Sequence, residues 1–140
     1  MSIPRPLHLG PLPAAAINAT LGTELPDGPV YLSARAHEYL SARAHEHIAR
    51  DHAADYPIVT RHLRDVVARP TFVGQAPHHG RNMELVGRVP LGGGRGHVLV
   101  AVGLEPDDAG RYRVRTAYLL EEHKVEDRRR RNHLRLLAKS

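Results

Sequence analysis

No cysteine occurs in the 140 residues, which excludes disulfides, thiolate metal sites and nucleophilic cysteine chemistry together. Tryptophan is also missing, phenylalanine occurs once, and aromatics make up 4% of the chain. A core must therefore be assembled from Val, Leu, Ile and Ala. No apolar run approaches the ~20 residues that a membrane-spanning helix requires. The opening Met-Ser-Ile-Pro-Arg-Pro has no charged-then-apolar leader, so the expectation is a cytoplasmic protein without membrane contact. What is present is an ordinary globular balance, 41% hydrophobic and 25% charged, which excludes wholesale disorder and fits a single domain. The unusual feature is basicity: 20 Lys+Arg against 15 Asp+Glu, with 11 His. Such a balance suits a polyanionic partner or a plain cationic surface.

Residues 1–29 hold six of the 11 prolines and almost no charge. They read as a mostly irregular arm or linker, leaving 30–140 as the domain proper. From Val30 onward the signals strengthen. A helix is expected from about Ser33 to Ala54, containing the direct repeat Ser-Ala-Arg-Ala-His-Glu at 33–38 and 41–46. Pro57 suits the first turn of a second helix, whose apolar stripe is Ile58, Val59, Leu63, Val66 and Val67 and whose end is set by Arg69-Pro70. The period then changes to short β-branched or alternating runs at 71–73, 83–89, 97–104 and 111–120, separated by turns at 92–94 and 106–110. The stretch 121–137 reads as a final helix with a basic middle. Together these describe an α+β domain in which two N-terminal helices pack on a roughly four-stranded antiparallel sheet.

Three clusters could carry chemistry. Four histidines lie between 37 and 52, with His45, His47 and His52 close together on the first long helix. No His pair at i,i+4 with a completing carboxylate is present, so metal binding is disfavoured. Acid–base work is the natural alternative, because histidine titrates near neutral pH. In Arg111–Tyr118, strict alternation places Tyr112, Val114, Thr116 and Tyr118 on one face and Arg111, Arg113 and Arg115 on the other. Thr116 and Tyr118 are then neighbours about 7 Å apart, either hydroxyl donors for a phosphate oxygen or plain strand formers. Arg128–Arg131, followed by His133 and Arg135, is either a grip on nucleic acid or a solvated charged face. Arg95, on the glycine-rich turn 92–96, is a candidate to touch substrate.

The order of these pieces resembles the phage-associated nucleases of the barnase–EndoU–colicin–RelE superfamily. The likeness rests on a Val-Tyr-Leu-Ser lead-in, a helix bearing His47-Ile48 and His52, a second helix ending near Arg69-Pro70, a hairpin, a Val-rich strand and Thr116-Ala117-Tyr118. It spans about residues 30–122. It implies that superfamily's fold and a metal-independent, cofactor-free endoribonuclease. The RNA 2′-hydroxyl would be the nucleophile, leaving a 2′,3′-cyclic phosphate and a 5′-hydroxyl. By the same resemblance His47 is the acid/base, preferred over His45 because Ile48 follows it, with His52 its partner or orienting group. Thr116 and Tyr118 would hold the phosphate. Arg50, Arg115, Arg95, Arg128 and Arg129 are the candidate substrate-binding residues. Such a protein would act as a toxin or as a phage or mobile-element effector, with RNA as substrate and an immunity or antitoxin protein as a candidate partner. The alternative is a module that grips nucleic acid or a protein partner without cutting.

Overall fold

The computed structural model describes residues 6–35, 55–75, 80–91 and 94–138. Three helices are seen among them: α1 (Ala14–Leu21), α2 (Asp55–Ala68) and α3 (Glu122–Arg130). Seven strands run β1 (Leu7–Pro11), β2 (Pro29–Leu32), β3 (Phe72–Gln75), β4 (Asn82–Leu91), β5 (Gly94–Gly103), β6 (Tyr112–Leu120) and β7 (Arg135–Leu136). They form one sheet in the order β1-β2-β6-β5-β4-β3-β7.

The expected meander of four antiparallel strands is its centre, from β3 to β6. The expected architecture as a whole is corrected. The sheet has seven strands and is mixed, because β2 pairs parallel to β6 while every other neighbouring pair is antiparallel. Two helices on a four-stranded antiparallel sheet, the superfamily arrangement, is not what the chain adopts. The extra strands come from two places. At one edge, the proline-rich N-terminal segment supplies β1 and α1, with Leu9, Leu12, Ala14, Ala16 and Ile17 buried. At the other, Phe72 and Val73 of β3 pair with Leu136 and Arg135 of β7. The first long helix expected over 33–54 lies mostly outside the described residues.

α2 forms where the apolar stripe predicts it. Val59, Leu63, Val66 and Val67 are buried against the sheet, and Pro70 prevents continuation because it disfavours helical backbone at Arg69. Gly87 of β4 makes close packing possible, since a Cβ there would lie 2.8 Å from Val66 Cγ2. This side of the sheet carries the larger core: Met83 and Leu85 of β4, Val98, Val100 and Val102 of β5, and Tyr112 and Val114 of β6. Tyr112 is fully buried and its hydroxyl donates to the Pro26 carbonyl at 2.6 Å, fastening β6 to the N-terminal segment.

The opposite side carries a smaller core of Phe72, Val86, Leu99, Ala101, Leu120, Val125 and Leu134 under α3. The helix expected over 121–137 stops at Arg130. Asn132 takes the left-handed conformation at φ 63°, the His133 N–H donates to the Arg128 carbonyl at 2.8 Å, and the Asn132 N–H donates to the Arg129 carbonyl at 3.0 Å. This is a Schellman ending with asparagine in the place usually taken by glycine. It turns the chain so that Leu134 drops into the smaller core. Gly74 of β3 permits the return, because a Cβ there would collide with the His133 carbonyl oxygen.

Candidate functional site

Position along β6 decides what its hydroxyls face. Ala101 of β5 pairs with Thr116, yet the next residue, Val102, pairs with Val114. Arg115 is the additional residue of a β-bulge, and an inserted residue reverses the alternation beyond it. The single-face expectation for Tyr112, Val114, Thr116 and Tyr118 is therefore corrected. Tyr112 and Val114 belong to the α2-side core, whereas Tyr118 packs on the α3-side cluster. Thr116 shares the face of Tyr118, two residues on along the same strand. Arg113 and Arg115 are exposed.

Register assembles the α3-side face into rows. Glu84 of β4, Ala101 of β5 and Thr116 of β6 lie in line across three strands. The next row is Phe72, Val86, Leu99 and Tyr118, and the one after it Arg88, His97 and Leu120. Ala101 is the small residue between Glu84 and Thr116. Glu84 is 5% exposed, a carboxylate on an otherwise apolar stretch of β4. Such a charge persists in a core only when it is paired. Its partner is Arg128 of α3, whose Nη1 donates to Glu84 Oε1 at 2.6 Å. Burial works against the Arg128 charge, but the hydrogen bond and charge of Glu84, with a smaller contribution from nearby Tyr118, more than offset it and raise its pKa. The guanidinium is thus cationic at every working pH and is held by the Glu84 carboxylate.

Two further polar groups on this face have nothing to bond to among the described residues: Thr116 Oγ1 and both ring nitrogens of His97. His97 is 2% exposed, and its Nδ1 lies 3.2 Å from Glu122 Oε2 without the alignment of a hydrogen bond. Burial holds its pKa below 6.5; Glu122 opposes this and Arg88 adds to it. The unfolded chain takes up the proton first on acidification, since a free imidazole titrates near 6.5. This part of the stability is complete above about pH 6.5 and is lost progressively as the pH falls toward the lowered folded value. Comparing unfolding free energies between pH 7.5 and pH 5 should show a shallower loss in His97→Gln than in the parent. Parallel profiles would refute the buried neutral imidazole.

Of the residues expected to act, Thr116, Tyr118 and Arg128 lie on one face of the sheet. Arg129 stands near them, its guanidinium 4.7 Å from the Phe72 ring centroid. Arg95 pairs through its backbone with Pro90 near the β4–β5 turn, in a different part of the sheet from Glu84. His47, Arg50 and His52 lie outside the described residues. Glu84, Arg88 and His97 were missed from sequence. Their signal was nonetheless present: in Met83–Val89 and His97–Leu104 the same period of two that buries Met83, Leu85, Val98 and Val100 delivers Glu84, Arg88 and His97 to the opposite side. Among the described residues no group of three or more His, Asp or Glu is placed to hold a metal ion. Among them, too, no helix is long and apolar enough to cross a membrane. Comparison with known proteins returns no match to a family model, to a curated protein or to a solved structure.

Proposed function

We propose that the chain is an endoribonuclease that cleaves RNA in the cytoplasm, without a metal, by attack of the 2′-hydroxyl on the adjacent phosphate. The observation that carries this reading is that Thr116 and Tyr118 share the face of the sheet on which the permanently charged Arg128 pairs with Glu84. In this reaction a proton leaves the 2′-oxygen, the 2′-oxygen bonds to phosphorus, and the bond to the 5′-oxygen breaks as that oxygen gains a proton. Charge builds on the non-bridging oxygens, and donors already aimed there stabilise it most. Thr116 and Tyr118 supply hydroxyl donors, and Arg128 supplies the N–H groups that Glu84 does not use. His47, with His52 beside it in sequence, is assigned the proton transfers; this assignment rests on the resemblance described above. The biological role proposed with it is that of a toxin or a phage or mobile-element effector, restrained by an immunity or antitoxin protein.

A second reading, a module that grips nucleic acid without cutting it, is favoured by the cations around α3. Arg130 and Arg131 are 77% and 68% exposed and share one carboxylate, Asp127. The two readings separate in one experiment. Purified protein is incubated with a mixed RNA panel in excess EDTA beside Tyr118→Phe and His47→Ala, and product ends are analysed. The nuclease reading expects 2′,3′-cyclic phosphate ends from the parent and losses on the order of 10²–10⁴-fold in each variant. Salt-sensitive RNA binding with intact RNA would establish the module instead.

A further inference from the structure

Phe72 is 1% exposed, yet two guanidiniums sit over its ring: Arg129 at 4.7 Å and Arg88 at 5.8 Å from the centroid. Neither arginine makes an ion pair with a carboxylate among the described residues, although both are exposed. Arg128 spends its charge on Glu84, and Arg130 and Arg131 share Asp127. Arg88 and Arg129 are thus two like charges drawn to one aromatic ring, neither of them paired to a carboxylate among the described residues. A guanidinium lying on a ring keeps its in-plane N–H donors for another partner, and that fork matches a phosphate. Beside them, His97 lies 6.3 Å from the same ring, and neither of its nitrogens has a hydrogen-bond partner among the described residues.

The surroundings extend the site in two directions. Arg129 lines an open cleft of about 640 Å³ together with Arg130 and Arg135, with Glu126 as its one carboxylate. Arg88 lines a second cleft of about 430 Å³ with Arg69 and His62, with Asp65 as its one carboxylate. The two guanidiniums over Phe72 thus each border a cleft more basic than acidic, and Phe72 itself is in the row beside the one that holds Thr116. A single phosphate would occupy the pair of guanidiniums, and a chain of phosphates would follow the clefts on either side.

We infer that Arg88 and Arg129, mounted on Phe72, form a phosphate-binding fork that holds the backbone of a single-stranded polynucleotide next to Thr116 and Tyr118. For its substrate this inference rests on the RNA-cleaving reading. Its test does not, because a short single-stranded oligodeoxynucleotide has the phosphates but no 2′-hydroxyl and cannot be cleaved by that route.

Binding of such a labelled oligodeoxynucleotide is measured across a range of salt for the parent, Arg88→Gln, Arg129→Gln, the double variant and Arg61→Gln. Arg61 is an exposed arginine of α2 and serves as the control for charge alone. Each phosphate contact on a single strand contributes about 0.7 to the slope of log affinity against log salt. The slope is expected to fall by about 0.7 in each single variant and about 1.4 in the double, with Arg61→Gln at the parent value. Thermal unfolding of each protein confirms that the surface substitutions leave it folded. A double variant that keeps the parent slope, or a fall no larger than that of Arg61→Gln, overturns the fork, even if RNA is still cleaved. So does a parent that fails to bind. Loss of slope in a protein that cleaves no RNA upholds the fork and removes the nuclease reading.

Discussion

Truncation of Arg128 to alanine should destabilise the domain by about 3–5 kcal/mol, because it leaves a buried carboxylate with its countercharge removed. Glu84 is 7% exposed at its side chain, and Arg128 is 24% exposed. That loss is a large share of the roughly 5–15 kcal/mol that holds a domain together. The neighbouring arginines predict a contrast. Arg130→Ala and Arg131→Ala break only solvent-facing pairs with Asp127 and should cost no more than about 0.5 kcal/mol. Removing both buried charges, as in Glu84→Gln with Arg128→Met, should recover most of the loss, since the expense lies in the orphaned charge rather than in the missing bond. Urea denaturation of the parent and the four variants measures this directly. An Arg128→Ala protein as stable as Arg130→Ala would mean that the ion pair does not form.

Deletion of residues 1–29 should abolish cooperative folding. The prolines of the segment predict an irregular arm or linker outside the domain proper. Instead it places Leu9, Leu12 and Ile17 in the main core and provides the Pro26 carbonyl that receives the Tyr112 hydroxyl. Each large aliphatic side chain removed forfeits about 1.5–3 kcal/mol of burial, and β2 loses its antiparallel partner. Together these losses reach the scale of the total stability of a domain. Circular dichroism of the truncated chain should show no sigmoidal thermal transition. A transition within a few degrees of the parent would show the segment to be dispensable.

These two cases indicate where the sequence is legible. The stripe of α2 and the four central strands could be read because periodicity there is the direct signature of burial, at Val59, Leu63, Val66 and Val67 and again at Val98, Val100 and Val102. The N-terminal elements were hidden because six prolines suggest irregular chain. Proline is nonetheless compatible with an edge strand, where an N–H can be spared, as at Pro11 of β1, and with the first residue of a strand, as at Pro29 of β2. The end of α3 was misjudged because the basic run continues through Arg131. The stop depends on Asn132 adopting a left-handed backbone, a conformation asparagine tolerates but does not announce. Within the site, alternation makes Thr116 and Tyr118 neighbours but groups them with Tyr112 and Val114, because a bulge is invisible to strict alternation. Glu84 and His97 sit in apolar strands and drew no notice, although a polar residue in such a strand is itself a question about its partner.

The bulge at Arg115 has a consequence for how the protein can change. Before it, β6 answers to the large core, where Tyr112 and Val114 are almost wholly enclosed. After it, the same strand answers to the face that presents Thr116 and Tyr118. One extra residue divides a nine-residue strand into a half whose variants are paid in stability and a half whose variants are felt at the polar cluster. Regular pairing with Arg115 kept would turn both hydroxyls toward the hydrocarbon interior, whereas loss of Arg115 would straighten the strand and leave them on the face they already occupy.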